Sequence, residues 1–211
     1  MLPGWPCFVD WIVPLGGVLV WPLDLTTLVF GFVAKNNLYI LPMVVDTIME
    51  WASPATHHGD AMTHFVDCYC GSGLFCLSAA KHFETCVGIE IQAKAIEEAQ
   101  YNAVANDLSH RCTFEASRAE AIFDDPHVRT FPRDTTVVML DPPRKGCDAI
   151  FLSQLESFRP QRIVYLSCNP ATQARDVKEM VSWGYDITLV QPFDLFPQTR
   201  HIECLTVLER R

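Results

Sequence analysis

The chain has 211 residues, of which 49% are hydrophobic and 19% charged, and its formal net charge is −9. That size and balance describe one globular domain with a full core and exclude a disordered chain. The acidity argues against a protein that grips nucleic acid over its whole surface. It is unevenly spread, however: residues 143–211 carry nine Lys+Arg against eight Asp+Glu, so a nucleic-acid partner is not excluded.

Residues 1–35 form an apolar N-terminal segment to which no element is assigned. Asp10, Pro14, Pro22 and Asp24 interrupt it before any run reaches the about 18–20 residues a spanning helix needs. Neither the basic start nor the small-residue cleavage site of a signal peptide is evident. From about residue 36 the pattern becomes orderly, and residues 36–211 read as one catalytic-type domain. The spacing in LPMVVDTIMEWAS predicts an amphipathic helix over 41–53, followed by a loop holding the adjacent His57 and His58.

Strand and helix signals then alternate. Strands are predicted over 64–70, 86–91, 112–117, 135–140, 162–167, 185–196 and 201–210. Helices are predicted from about Leu74 to His82, over 92–107, around the run from Asp148 to Phe158, and from Pro170 to about Trp183. Nothing of helix length separates the last two strands, which should therefore pair antiparallel. Five β-α units and a terminal hairpin describe a doubly wound α/β sheet with an antiparallel edge strand. The nine cysteines contain no C-x-x-C pair, so neither a zinc site nor a disulfide framework is indicated. They read as reduced thiols of an intracellular protein.

In such sheets ligands bind beyond the carboxyl ends of the strands. The first strand ends at Asp67-Cys68-Tyr69-Cys70 and the turn Gly71-Ser72-Gly73. The second ends at Glu90, 19 residues beyond Gly71, a spacing at which a carboxylate can take a ribose hydroxyl. Cys76 stands in the third glycine place, which favours an adenosyl ligand without a pyrophosphate, such as S-adenosylmethionine (SAM). Asp141 precedes Pro142 and Pro143, which stiffen the backbone and hold its carboxylate at a pocket rim. Cys168 lies between the fifth strand and the N-cap Asn169, with Pro170 at the first helical position. Backbone N–H groups and the helix dipole there are expected to favour its thiolate.

A thiolate, Asp141 and Glu203 converging on a methyl donor would suit alkylation of a poorly nucleophilic carbon. C5 of uracil is one. Addition of the thiolate at C6 activates C5, and a base later removes the C5 proton so that the thiol can leave.

The stretches FVDCYCGSGLF, GIEIQAKAIEEAQYNA, DPPRKGCD, VYLSCNPATQARD and FDLFPQTRHIECLTVLER, taken together, are similar to the RNA 5-methyluridine methyltransferases. The resemblance covers roughly residues 36–211 and points to the fungal and eukaryotic tRNA (uracil-5-)-methyltransferase branch. It implies a class I SAM-dependent methyltransferase fold, SAM as donor, and RNA, above all tRNA, as substrate. It further implies that Cys168 is the nucleophile, Glu203 the proton acceptor, and Asp141 and Arg144 members of the reaction centre. Tyr69, Gly71, Gly73, Glu90 and Asp141 fall at cofactor-binding positions. Leu74 replaces an asparagine that some relatives direct toward the cofactor, and Lys35 falls where the family usually has a glutamine. His201, two residues before Glu203, is expected on the same strand face, tuning that carboxylate or meeting RNA. No metal, no membrane and a monomeric state are expected.

Two other readings stay open. A SAM-dependent amino-methyltransferase would use the Asp-Pro-Pro corner without needing Cys168. A homologue that binds SAM or RNA without turnover would hold the donor and transfer nothing.

Overall fold

The computed structural model describes residues 40–53 and 61–211, together with a two-residue antiparallel pairing of β1 (Val18–Leu19) with β2 (Leu28–Val29). Apart from that pairing, the N-terminal segment lies outside the described residues. So do Lys35 and the histidine pair.

α1 (Leu41–Ala52) carries Pro42 in its first turn and buries Leu41, Val44, Val45, Ile48, Met49 and Ala52. Those residues recur every three or four positions, which is one helix face. The chain then lays down β3 (His64–Asp67), α2 (Leu74–Ala79), β4 (Thr85–Glu90), α3 (Ala93–Ala105) and β5 (Cys112–Ala116). The second half continues with β6 (Thr136–Leu140), α4 (Ala149–Phe158), β7 (Arg162–Ser167), α5 (Pro170–Ser182), β8 (Tyr185–Phe193) and β9 (Glu203–Arg210).

The seven long strands form one sheet in the order β5-β4-β3-β6-β7-β9-β8, parallel from β5 through β7. β6 and β7 are buried at every residue, as expected for parallel strands covered on both faces. Alternate residues go to opposite layers. Val137, Met139, Val164 and Leu166 join α1 and α2, whereas Val138, Leu140, Ile163 and Tyr165 join Phe151, Leu155, Val177 and Met180. Full burial of each such side chain contributes roughly 1.5–3 kcal/mol.

Two expectations from the sequence are corrected. β5 is not followed by an α-helix. Three short 3-10 turns (Ala119–Asp124, Val128–Thr130 and Arg133–Thr135) bridge it to β6. Pro126 and Pro132 prevent a longer helix there. The antiparallel strand is also not the edge. β9 pairs antiparallel with both β7 and β8, so it lies inside the sheet and leaves β8 as the edge. Its residues from Cys204 to Leu208 are all buried, whereas β8 is exposed over most of its length.

The chain starts its sheet at β3, moves outward to β4 and β5, and returns to β6 on the other side. The order therefore reverses between β3 and β6. That switch point is where the carboxyl ends of neighbouring strands diverge and leave a crevice.

Candidate active site

A cleft of about 550 Å³ opens at this switch point. β3 ends at the fully buried Asp67, and the turn that follows lines the cleft from Cys68 to Ser72 and closes at Gly73. Gly71 and Gly73 have φ of +52° and +93°, a region L side chains rarely adopt. At Gly73 space is short as well: a Cβ would come within 3.1 Å of the Phe114 ring and 3.2 Å of Ala99. α3 steadies the turn through Asn102 Nδ2, which donates to Ser72 O at 3.1 Å. Tyr69 lines the cleft and packs on Phe151 with ring centroids 5.8 Å apart.

Three further strands bring acids to the same cleft. Glu90 ends β4 and accepts from Gln92 N at 3.0 Å, with the exposed Ile91 beside it. Asp141 follows β6, and Glu203 opens β9. The antiparallel register pairs Ser167 with Cys204, so one step further Cys168 faces Glu203 across the β7–β9 boundary. The inward position of β9 is what brings these two side chains together.

In the sequence Asp67 is simply the end of a strand. It is fully buried, its Oδ1 accepts a long 3.4 Å bond from Tyr69 N, and its Oδ2 has no hydrogen-bond partner. Burial, with Asp141 and Glu90 adding repulsion, pushes it up to about 8. Burial and the charge of Glu203 push Asp141 up to about 7. Burial also lifts Glu203 to about 7, against the pull of Arg144. Asp67, Asp141 and Glu203, crowded in poorly solvated surroundings, hold protons that separate carboxylates would release, and a cation would restore their charge.

The folded protein holds a proton on Asp67 that the unfolded chain gives up near its ordinary value. The Asp67 contribution to stability is therefore complete at acid pH and is lost as pH rises from about 4 to about 8. The slope is at most about 1.4 kcal/mol per unit. Asp67→Asn should be more stable than the parent at pH 8–9, with the gap closing toward pH 5, as read from urea midpoints. A gap independent of pH would contradict this assignment.

Cys168 is half-buried at the cleft's other wall. The expectation that the following helix would favour its thiolate is not met. Burial first, then Glu203 and Asp141, raise the thiol, and only Arg144 lowers it through a hydrogen bond and its charge. Two carboxylates and lost solvation outweigh a helix end. Arg144 also meets His201 Nδ1 at 3.4 Å. His201 stands in the loop ahead of β9, not on the strand, edge-on to Phe196 at 6.3 Å between centroids. Leu74 lines the cleft near the glycine turn.

The structure thus gathers Cys168, Glu203, Asp141, Tyr69, Gly71 and Glu90 around one cavity. Gly73 closes the turn, and Arg144, outside the lining, pulls the Cys168 thiol down. The sequence did not single out Asp67, Ile91 or the Arg118–Glu120 segment. An apolar residue directly after an acidic strand end was the available signal for Ile91. Among the described residues, no group of three His, Cys, Asp or Glu could hold a metal ion, and no helix is long and apolar enough to cross a membrane.

Comparison with known proteins agrees with this architecture. The chain is 38% identical over 182 residues to the tRNA (uracil(54)-C(5))-methyltransferase of Saccharomyces cerevisiae, covering 83% of this chain and 28% of that protein. It is 46% identical over 151 residues to the Schizosaccharomyces pombe protein of the same name, covering 70% and 28%. The chain therefore spans under a third of the length of these curated relatives.

Among solved structures, the Pyrococcus abyssi tRNA (uracil-54, C5)-methyltransferase in complex with S-adenosyl-L-homocysteine superposes with a TM-score of 0.63 and 28% identity. It covers 79% of this chain and 37% of that one. A geranyl diphosphate methyltransferase in complex with SAM, only 11% identical, superposes with a TM-score of 0.59 over 80% of this chain and 85% of that one. That likeness concerns the fold alone, and the fold is that of class I SAM-dependent methyltransferases. Residues 23–211 match the family described as tRNA (Uracil-5-)-methyltransferase, nearly the whole chain, with the glycine turn, the Asp-Pro-Pro corner and the Cys168–Glu203 pair all inside the match. The chain belongs to the tRNA (uracil-5-)-methyltransferase family.

Proposed function

We propose that this chain is the catalytic domain of an enzyme that methylates C5 of uridine in RNA, with tRNA as the substrate and SAM as the donor. One observation carries the reading: the β7–β9 register sets a cysteine and a carboxylate face to face beside a cleft fit for a cationic adenosyl ligand.

The fit of SAM rests on the cleft's own groups. Its ammonium and sulfonium charges match the acids Glu90, Asp141 and Glu203 that line the cleft, and Asp67 Oδ2, close to two of them, is a buried oxygen with no hydrogen-bond partner. Glu90 suits the ribose hydroxyls, Ile91 and Leu74 an apolar base, and Gly71 and Gly73 let backbone approach closely. SAM, when bound, supplies an electrophilic methyl group.

The protein's residues do the rest. Cys168 releases its proton to solvent, and the thiolate sulfur bonds to C6 of the uracil while the C5–C6 π electrons move toward C5 and the ring carbonyl. Asp141, held partly protonated, donates to the ring's developing oxyanion. After C5 has gained its methyl group, Glu203 takes the C5 proton and the electron pair reforms the C5–C6 double bond. The C6–S bond then breaks and Cys168 leaves as the thiolate. Arg144 stabilises that thiolate at both ends of the cycle.

tRNA carrying 5-fluorouridine tests this. Fluorine at C5 cannot be removed as a proton, so the protein with SAM should form a denaturation-resistant adduct at Cys168, seen by gel and mass spectrometry. No adduct from folded protein that binds SAM would favour the second reading, a domain that holds the donor without turnover. The small share of the relatives' length that this chain spans motivates that alternative.

A further inference from the structure

One face of α5 reaches across to the loop after β6 and holds it at several points. Asn169, the N-cap, accepts from Ala171 N and donates through Nδ2 to Arg144 O at 3.0 Å. Thr172 Oγ1 shares its one proton between the same carbonyl at 3.2 Å and Asn169 O at 3.1 Å. Arg175 Nη2 donates to Lys145 O at 3.1 Å and to Cys147 O at 3.2 Å. Asp176, fully buried, accepts from Cys147 N at 2.9 Å and from the Tyr165 hydroxyl at 2.8 Å, while its other oxygen takes Arg175 Nε at 2.8 Å. The loop seats on this carboxylate at Gly146, with φ +77°, where a Cβ would come within 2.6 Å of Asp176 Oδ2.

Positions 169, 172 and 176 follow helical spacing, so a single face carries the contacts. The loop they hold begins at Arg144, and the bond from Asn169 to Arg144 O seats that residue directly beside Cys168, the position before the N-cap. Cys168 immediately precedes the same helix. We propose that Asn169, Thr172 and Asp176 form a clamp that seats Arg144 against Cys168, making them positioning residues that act through Arg144. The catalytic meaning of the clamp rests on the proposed uracil chemistry, but its physical content does not. A carboxylate that only filled the core would bond to its own layer. Apart from Tyr165 and its neighbour Arg175, the partner of Asp176 is the backbone of the Arg144 loop.

The test is alkylation of Cys168 by iodoacetamide against pH in the full chain, without RNA or SAM, followed on the Cys168 peptide by mass spectrometry. Losing the Arg144 contact should raise the alkylation midpoint by about one pH unit, or about tenfold in rate at fixed pH. Asp176→Asn and Arg144→Gln should each show it, and the double variant no more than either. Should Asp176→Asn fail to fold, Thr172→Val against Thr172→Ser decides, the first shifted and the second like the parent. Variants that melt earlier but keep the parent midpoint would overturn the clamp. A shifted midpoint in a protein that forms no fluorouridine adduct would leave the clamp standing and remove the uracil reading.

Discussion

Cys168→Ala is expected to lower methyl transfer to tRNA by about 10⁴-fold or more while leaving SAM affinity within about threefold. Unassisted C5 of uracil is a poor nucleophile, so losing the covalent step removes the route and not merely some rate. A 10⁴-fold loss corresponds to about 5.5 kcal/mol of transition-state stabilisation. The donor's affinity should hold because Cys168 follows β7, two strands along the sheet from the glycine turn after β3 and three from Glu90 at the end of β4. Removing one half-buried sulfur should change stability by about 1 kcal/mol or less. Labelled methyl transfer and equilibrium dialysis on the same preparation separate the two effects. A variant that keeps a tenth or more of the parent rate would sink the nucleophile assignment. It would also revive the amino-methyltransferase reading, which needs no thiol.

That the sequence offers Cys168 as a candidate reflects how local its signal is. Strand, cysteine, N-cap and helical proline lie within seven residues, from Val164 to Pro170. The strands β3, β4, β6 and β7 were legible because buried parallel strands are apolar throughout. The place of β9 was not. Periodicity tells how a strand alternates, but not which neighbour it pairs with, and the run from Cys204 to Leu208 suits an inner strand and an edge alike until β8 is seen outside it.

The charge state of the site was equally hidden. A helix end beside Cys168 is a local feature and argued for a thiolate. The opposing Glu203 and Asp141 come from strands 35 and 27 residues away in sequence, and only packing shows that they raise the thiol. Asp67 illustrates the same limit, since its missing partner is a property of the cleft and not of the stretch FVDCYC. Asp176 does too. Nothing in QARDVKEM distinguishes a solvated helix acid from one buried against the loop after β6.

Glu203→Gln should stall the reaction where the parent completes it. With no carboxylate to take the C5 proton, the C5–C6 double bond cannot reform and the C6–S bond has no reason to break. Ordinary tRNA, without fluorine, should then accumulate as a denaturation-resistant adduct that requires both SAM and Cys168. The pH dependence sharpens the test. Burial lifts Glu203 to about 7, so at pH 6 only about a tenth of the parent molecules carry the carboxylate that accepts the proton. Glu203 therefore places the parent's first limb between about pH 6 and pH 8, and the Cys168 thiol, raised above its ordinary value of 9.0, adds a second limb that lies later. In the Gln variant the Glu203 limb is gone, and adduct formation should follow the thiol alone. Adduct yield measured by denaturing gel between pH 6 and 9 should thus rise along a single, later limb, while turnover stays at least about 10³-fold below the parent. A Gln variant that turns over near the parent rate without trapping RNA would show that the C5 proton leaves to another base, and Asp141, the remaining carboxylate facing Cys168, would be the next to replace.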